Sequence, residues 1–155
     1  MSELLNAAVI KNSLFTAVFS IALSAAGAQM ALASDVLKSP APPEGASTYI
    51  VSPQDGAEVT SPVTVVFGLK GMGIAPAGIE KEGTGHHHLL VDQQELPPLN
   101  AVMGNPPLHF GGGQNETELE LEPGEHTLQL ILGNHLHVPF DPMVLSEKIT
   151  ITVKE

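Results

Sequence analysis

The sequence contains no cysteine and no arginine. Without cysteine the protein forms no disulfide and has no thiolate ligand or thiol nucleophile, so its stability must come from a hydrophobic core. Without arginine, six lysines oppose 17 acidic residues and the formal net charge is −11. Nucleic acids and anionic lipid surfaces are bound through clustered Lys and Arg, so this composition excludes a nucleic-acid-binding function.

Common catalytic and zinc motifs are also missing. The sequence has no G-x-S-x-G elbow, no H-E-x-x-H and no paired C-x-x-C. We therefore assign no catalytic residue and expect a protein that is not an enzyme. A metal-dependent enzyme such as a dismutase or hydrolase remains an alternative, because a sequence does not reveal an open coordination position.

The amino-terminal region resembles an export signal. The run Leu14–Ala28 is apolar or small and uncharged, and it is short for a bilayer span. Ala31-Leu32-Ala33, followed by polar residues, fits a signal-peptidase site. Residues 1–33 are thus predicted to be a signal peptide cleaved after Ala33, giving a periplasmic or secreted protein with no membrane insertion after signal removal. An uncleaved membrane anchor is the alternative, and no later segment is predicted to span a membrane.

The remainder divides into a tether and one domain. Residues 34–47 are rich in proline and alanine and lack periodicity, which predicts a flexible tether. Residues 48–155 have the length of one domain and no sustained helical periodicity. Short alternating segments separated by Gly, Pro, Asn and Asp predict an all-β, immunoglobulin-like antiparallel sandwich of about seven strands. The main predicted strands are Tyr49–Ser52, Val63–Leu69, His86–Asp92, Thr117–Glu122, His126–Leu132 and Lys148–Val153.

Two connections are longer than a compact domain usually needs. They cover residues 71–85 and 133–145, and long loops of this kind are commonly functional. In an immunoglobulin-like order they are the B to C and F to G loops, which emerge at the same end of the sandwich. We therefore expect their side chains to meet there.

Histidines are concentrated at these two loops. On an extended strand His86 and His88 project from one face and His87 from the other, where it follows the phase of core residues. His135 and His137 repeat the H-x-H spacing, which aims both imidazoles to one side if the backbone is extended. The sequence thus predicts a metal site of His86, His88, His135 and His137. Imidazoles without thiolate suit copper or zinc, and nickel stays open.

Five further residues are candidates for supporting this site. His87 is expected to be buried with a hydrogen-bond partner, and His109 to cover the cluster or lie in a surface loop. Asp141 is a possible ligand or an acceptor that orients an imidazole. Met72 and Met143 lie in the two loops and offer thioethers for copper(I), although packing is the more common role of such residues.

The remaining histidine is expected to be structural. His126 begins a strand directly after Pro123-Gly124, far along that strand from the F to G loop. Immunoglobulin-like folds often place a hydrogen-bonding aromatic residue at this corner. We predict that His126 fixes the corner between strands E and F.

Two other functions fit the same histidines. They form a neutral hydrogen-bonded network in a non-catalytic domain that binds an envelope protein or another ligand, or they act as a pH sensor. The metal hypothesis predicts a metal ion as partner, and the network hypothesis predicts an envelope partner.

Four motifs together resemble a bacterial family of small exported domains of unknown function. They are GHHHLLVD (85–92), FGGGQ (110–114), PGEHTLQL (123–130) and GNHLHVP (133–139). The resemblance covers most of residues 52–153. It implies an exported, histidine-containing β-domain and assigns neither an activity nor a set of ligands.

Overall fold

The structure is a computed structural model, and it describes residues 37–155. The predicted signal peptide and its cleavage site lie outside the described residues. The described chain forms strands and loops without a helix. Within this range no helix has the length and hydrophobicity that a membrane span requires.

The described residues form nine strands. They are β1 (Ser47–Ser52), β2 (Glu58–Thr60), β3 (Val63–Lys70), β4 (Gly73–Ile74), β5 (Thr84–Val91), β6 (Leu108–His109), β7 (Glu116–Leu119), β8 (Gly124–Gly133) and β9 (Ile149–Lys154). All six main predicted strands are among them, whereas the three short strands β2, β4 and β6 were not predicted.

The strands form two sheets that confirm the predicted all-β sandwich. One sheet has the order β1-β3-β7, and the other has the order β2-β9-β8-β5-β4 with β6 also paired to β5. In immunoglobulin-like terms β3 and β7 are strands B and E, and β5, β8 and β9 are strands C, F and G. The chain segments 71–83 and 134–148 are therefore the B to C and F to G loops.

The core lies between the two sheets and follows the period of two. Successive side chains of a strand point to opposite faces, so the core residues of β3, β8 and β9 recur at every second position, although the end of β8 is buried on both faces. These side chains pack with Leu89 of β5 and Leu119 of β7 into one cluster. Its members from the three strands are Val63, Val65, Phe67, Leu128, Leu130, Ile149, Ile151 and Val153.

The segment ahead of β1 contacts the domain. Ser39 is buried, and its N–H donates to Asn100 Oδ1 while the Asn100 N–H donates to Ser39 Oγ. The Asp141 N–H donates to the carbonyl of Pro40. Because these bonds anchor the chain, the part of the predicted tether from residue 39 onward belongs to the folded unit, and β1 starts at Ser47.

His126 fixes the corner between β7 and β8, as predicted. Its Nδ1 lies 2.8 Å from Asp92 Oδ2 and its Nε2 lies 2.9 Å from the carbonyl of Glu122. Asp92 Oδ1 also accepts a hydrogen bond from the Thr127 N–H. The ring therefore joins the end of β5 to the turn that precedes β8.

At this corner His126 and Asp92 each favour the charged form of the other. The hydrogen bond to Asp92, helped by the Glu122 carbonyl, raises the pKa of His126 above its ordinary value of 6.5. Burial alone would raise the pKa of Asp92, but hydrogen bonds from His126 and Thr127 outweigh it and lower that pKa below 3.8. The protonated ring and the ionised carboxylate thus stabilise each other.

The corner predicts a pH-dependent contribution to stability. The contribution of His126 is complete below pH 6.5 and is lost as the pH rises through its higher folded-state pKa. The contribution of Asp92 is present above pH 3.8 and is lost in acid. In thermal unfolding measured in chelator, the wild type should have a higher melting temperature than His126→Gln. The difference should be largest between about pH 4 and 6.5. An equal difference at pH 6 and pH 8.5 would contradict this.

Candidate metal centre

The three consecutive histidines of β5 divide between the two faces of the sheet. All three are buried. His87 faces the core, where its ring lies 5.2 Å from that of Phe67 and its Nε2 lies 3.1 Å from Thr48 Oγ1. The Thr48 hydroxyl donates to the Gly68 carbonyl, so it accepts a hydrogen bond from His87. His87 is therefore a structural residue, and its predicted inward orientation is confirmed.

His86 and His88 point to the opposite face, where two further histidines cover them. His109 of β6 pairs directly with His88 in antiparallel register, which places both side chains on the same face. His137 reaches the same place from the F to G loop. The ring centres of His86, His109 and His137 are separated by 4.5 to 5.0 Å.

His86, His109 and His137 form the most compact set of donors, called here the histidine triad. Each offers one ring nitrogen, and the three atoms lie within 4.8 Å of one another. A tetrahedral ion with bonds of about 2.0 to 2.1 Å holds its nitrogens about 3.4 Å apart. Small rotations of the partly exposed rings would reach that spacing, so the triad can hold a metal ion.

His88 is the fourth member of the cluster. Its ring centre lies 4.8 Å from that of His86, 5.1 Å from that of His109 and 6.0 Å from that of His137. It is thus close to two members of the histidine triad and more distant from the third. This position suits a fourth donor or a ring that packs behind the triad.

Two glycines make room for the rings. A Cβ atom at Gly111 would clash with Cε1 and Nε2 of His109, so the FGGGQ motif leaves space for that ring. A Cβ atom at Gly133 would lie 2.8 Å from His88 Cε1, closer than real Cβ contacts allow. The imidazoles therefore lie where side chains at these two positions would otherwise be.

The two buried imidazoles on this face of β5, His86 and His88, have no hydrogen-bond partner among the described residues. Neither ring nitrogen of His86 and neither ring nitrogen of His88 is bonded to any described residue. A polar group buried without a partner costs roughly 1–3 kcal/mol, so four such atoms in one place are unusual for a structural cluster. All four are nitrogen atoms of the type that binds copper and zinc.

The electrostatics keep these rings neutral. Burial, followed by the neighbouring histidines 137, 109 and 87, lowers the pKa of His86 to about 4. Burial, followed by histidines 86, 109 and 137, lowers the pKa of His88 to about 3. Burial and His137 also lower the pKa of His109. A neutral imidazole has a free lone pair, so a metal ion would not have to displace protons from these rings at pH 7.

His135 lies outside the cluster because the backbone between it and His137 is not extended. Residues 135–137 form a turn in which the Asn134 side chain accepts hydrogen bonds from the N–H groups of Leu136 and Val138. His137 itself has a φ of 63°. The turn separates the two imidazoles of the H-x-H pair, and His135 instead lines a groove with Pro40 and Phe140.

The two loops do meet, and the other predicted support residues lie around the cluster without joining it. The Gly78 N–H of the B to C loop donates to the carbonyl of His135 in the F to G loop. Asp141 is exposed and its carboxylate is not in the histidine triad. Met72 packs with Leu132, and Met143 packs with an apolar cluster that contains Met103.

From the sequence, His109 was predicted to have only a supporting role. Its position depends on β6, a strand of two residues whose register no periodicity reveals. The adjacent triple glycine is the one signal in the sequence, because glycines allow another group to approach the backbone closely. It does not identify the group that approaches. The structure makes His109 an equal member of the histidine triad.

The geometry allows a limited set of chemical roles. Three imidazole nitrogen donors converge, with His86 buried, His137 half-buried and His109 exposed. Such a donor set is of the kind that can hold a borderline transition metal, with an approach from solvent on the His109 side.

Comparisons with known proteins identify the family. No curated protein matches the chain. Among solved structures, an endo-β-1,4-mannanase from Thermotoga petrophila is similar over 72% of this chain and 20% of its own, with a TM-score of 0.42 and 19% identity. The chain thus spans about a fifth of that enzyme, and a likeness this weak carries no argument about function. The family model described as "Domain of unknown function (DUF4399)" matches residues 65–154, more than half of the chain, and the protein belongs to that family.

Proposed function

We propose that this protein is an exported module that binds a transition metal ion, copper or zinc, through His86, His109 and His137, with His88 beside them. The observation that carries the proposal is the set of buried imidazole nitrogens without partners, which face two more imidazoles. The acidic character of the chain adds to it, since a net charge of −11 attracts cations. Metal buffering or delivery is the matching role.

The export of the protein is proposed from its sequence. The uncharged run before Ala33 and the small-residue site that ends it are the supporting features. A periplasmic or secreted location is compatible with a domain that uses no cysteine.

The competing network hypothesis requires hydrogen bonds among the histidines. His87 Nε2 has a hydrogen bond to Thr48 and His87 Nδ1 has none with a described residue, but this ring lies on the other face of β5 and bonds to no other histidine. His86 and His88 have none with any described residue. The observations therefore favour a ligand for these two rings over a network that closes the loops.

The proposal predicts stoichiometric metal uptake that depends on the histidine triad. His109→Ala combined with His137→Ala should abolish uptake of copper(II) and zinc(II), because two of three converging donors are lost. His135→Ala is the matched control, since it removes a neighbouring imidazole outside the cluster. Elemental analysis after metal loading and desalting measures the uptake. In thermal unfolding, metal should raise the free energy of unfolding by about 2.7 kcal/mol when the free metal concentration is 100 times Kd.

Gly111→Ala extends the same experiment without removing a donor. The added methyl group displaces the His109 ring and should weaken uptake, whereas Gly104→Ala, which meets no atom within 4 Å, should not. Uptake that is absent in the wild type, or unchanged in the double histidine variant, would overturn the proposal.

The proposal also predicts what the buried rings do for stability. Replacing His86 and His88 by leucine removes unpaired polar atoms, so the free energy of unfolding of the metal-free protein should stay the same or rise. His87→Leu loses the bond to Thr48 and should cost about 1 kcal/mol. Denaturant unfolding in chelator measures both. A loss of several kcal/mol in the double leucine variant would instead favour the structural network.

A further inference from the structure

Met103 lies beside the histidine cluster, although it is distant from it in the sequence. It belongs to the connection between β5 and β6 and is 5% exposed. Its N–H donates to the carbonyl of His137 at 2.8 Å, so the backbone of Met103 runs alongside a member of the histidine triad.

The side chain of Met103 approaches His88 from above β8. A Cβ atom built on Gly133 would lie 2.7 Å from Met103 Cε and 2.8 Å from His88 Cε1. The methionine methyl group and the imidazole edge therefore share the space over this glycine. The thioether sulfur is one bond from that methyl carbon, and the unbranched side chain can turn it toward the rings.

The other two loop methionines are placed differently. Met72 packs against the apolar cluster of Leu132, Phe140 and Val144. Met143 packs on the apolar cluster of Leu90, Met103 and Ile131 and is joined to no histidine by a shared contact of this kind. The methionine that shares space with a ring of the cluster over Gly133 is thus one that loop position in the sequence did not indicate.

The converging donors of the cluster are all imidazoles. Among the described residues no carboxylate belongs to the group of converging donors. Neutral imidazoles leave the whole charge of a bound ion uncompensated, and the cost of burying an ion rises steeply with its charge. A monovalent ion is therefore favoured on the buried side, and thioether sulfur is a soft ligand that selects copper(I) over zinc(II).

We propose that the ion held by this site is copper(I), and that the Met103 thioether completes the histidine donors on the His88 side. This inference rests on the proposed metal-binding function and adds the metal, its oxidation state and one ligand. It gives the buried half of the site a soft donor and leaves His109 as the solvent-facing donor.

The test compares two conservative variants of the purified protein. Copper(I) is titrated anaerobically against a chromophoric copper(I) chelator, and zinc(II) is titrated in parallel. Met103→Leu should weaken copper(I) binding by at least about tenfold, which corresponds to 1.4 kcal/mol, and leave zinc(II) binding unchanged. Met72→Leu should change neither. Leucine preserves volume, so the fold should be retained, and thermal unfolding checks it.

X-ray absorption on the copper(I)-loaded wild type provides a measurement that needs no variant. A sulfur neighbour should accompany the nitrogen neighbours, and it should be missing in Met103→Leu. Copper(I) affinity that is equal in Met103→Leu and wild type, or a copper shell without sulfur, would overturn this inference while leaving the histidine site intact. A wild type that takes up neither metal would overturn the proposed function as well.

Discussion

The antiparallel pairing of β5 with β8 is the constraint on which the rest of the structure depends. It fixes the phase of three consecutive histidines, so that His87 enters the core while His86 and His88 face the other way. It also sets Gly133 opposite His86, which provides space for rings over the sheet. A slip of one residue would exchange the two faces and bury the pair of donors in the core.

The rings on the outer face are covered by segments that are remote in sequence. β6 brings His109 opposite His88, and the turn after β8 brings His137 over His86. The carbonyl of His137 in that turn accepts a hydrogen bond from the Met103 N–H. This bond ties the connection between β5 and β6 to the F to G loop. Burial then keeps His86 and His88 neutral and leaves their ring nitrogens without partners among the described residues, a combination that is costly for folding and suited to holding a cation.

The sequence predicted the fold well because the strands obey a simple period. Leu128, Leu130, Ile151 and Val153 are core residues whose alternation is readable without a structure. The same rule correctly placed His87 inward. It also predicted that the two long loops meet, as the bond between Gly78 and His135 shows.

The membership of the cluster was less predictable for two physical reasons. The H-x-H pair was read as extended, but Asn134 forms a turn and His137 has a positive φ, so His135 points elsewhere. His109 and Met103 depend on a two-residue strand and on one backbone hydrogen bond, and neither leaves a periodic signal. Local spacing identifies donors, whereas tertiary register decides which of them converge.

The most direct test of the central claim is a crystal structure of the metal-loaded protein with anomalous scattering data collected at the metal edge. The account predicts one strong peak about 2.0 to 2.1 Å from a ring nitrogen of each of His86, His109 and His137. A metal peak at His135, at His126 or on surface carboxylates, with no density between the three rings, would contradict it.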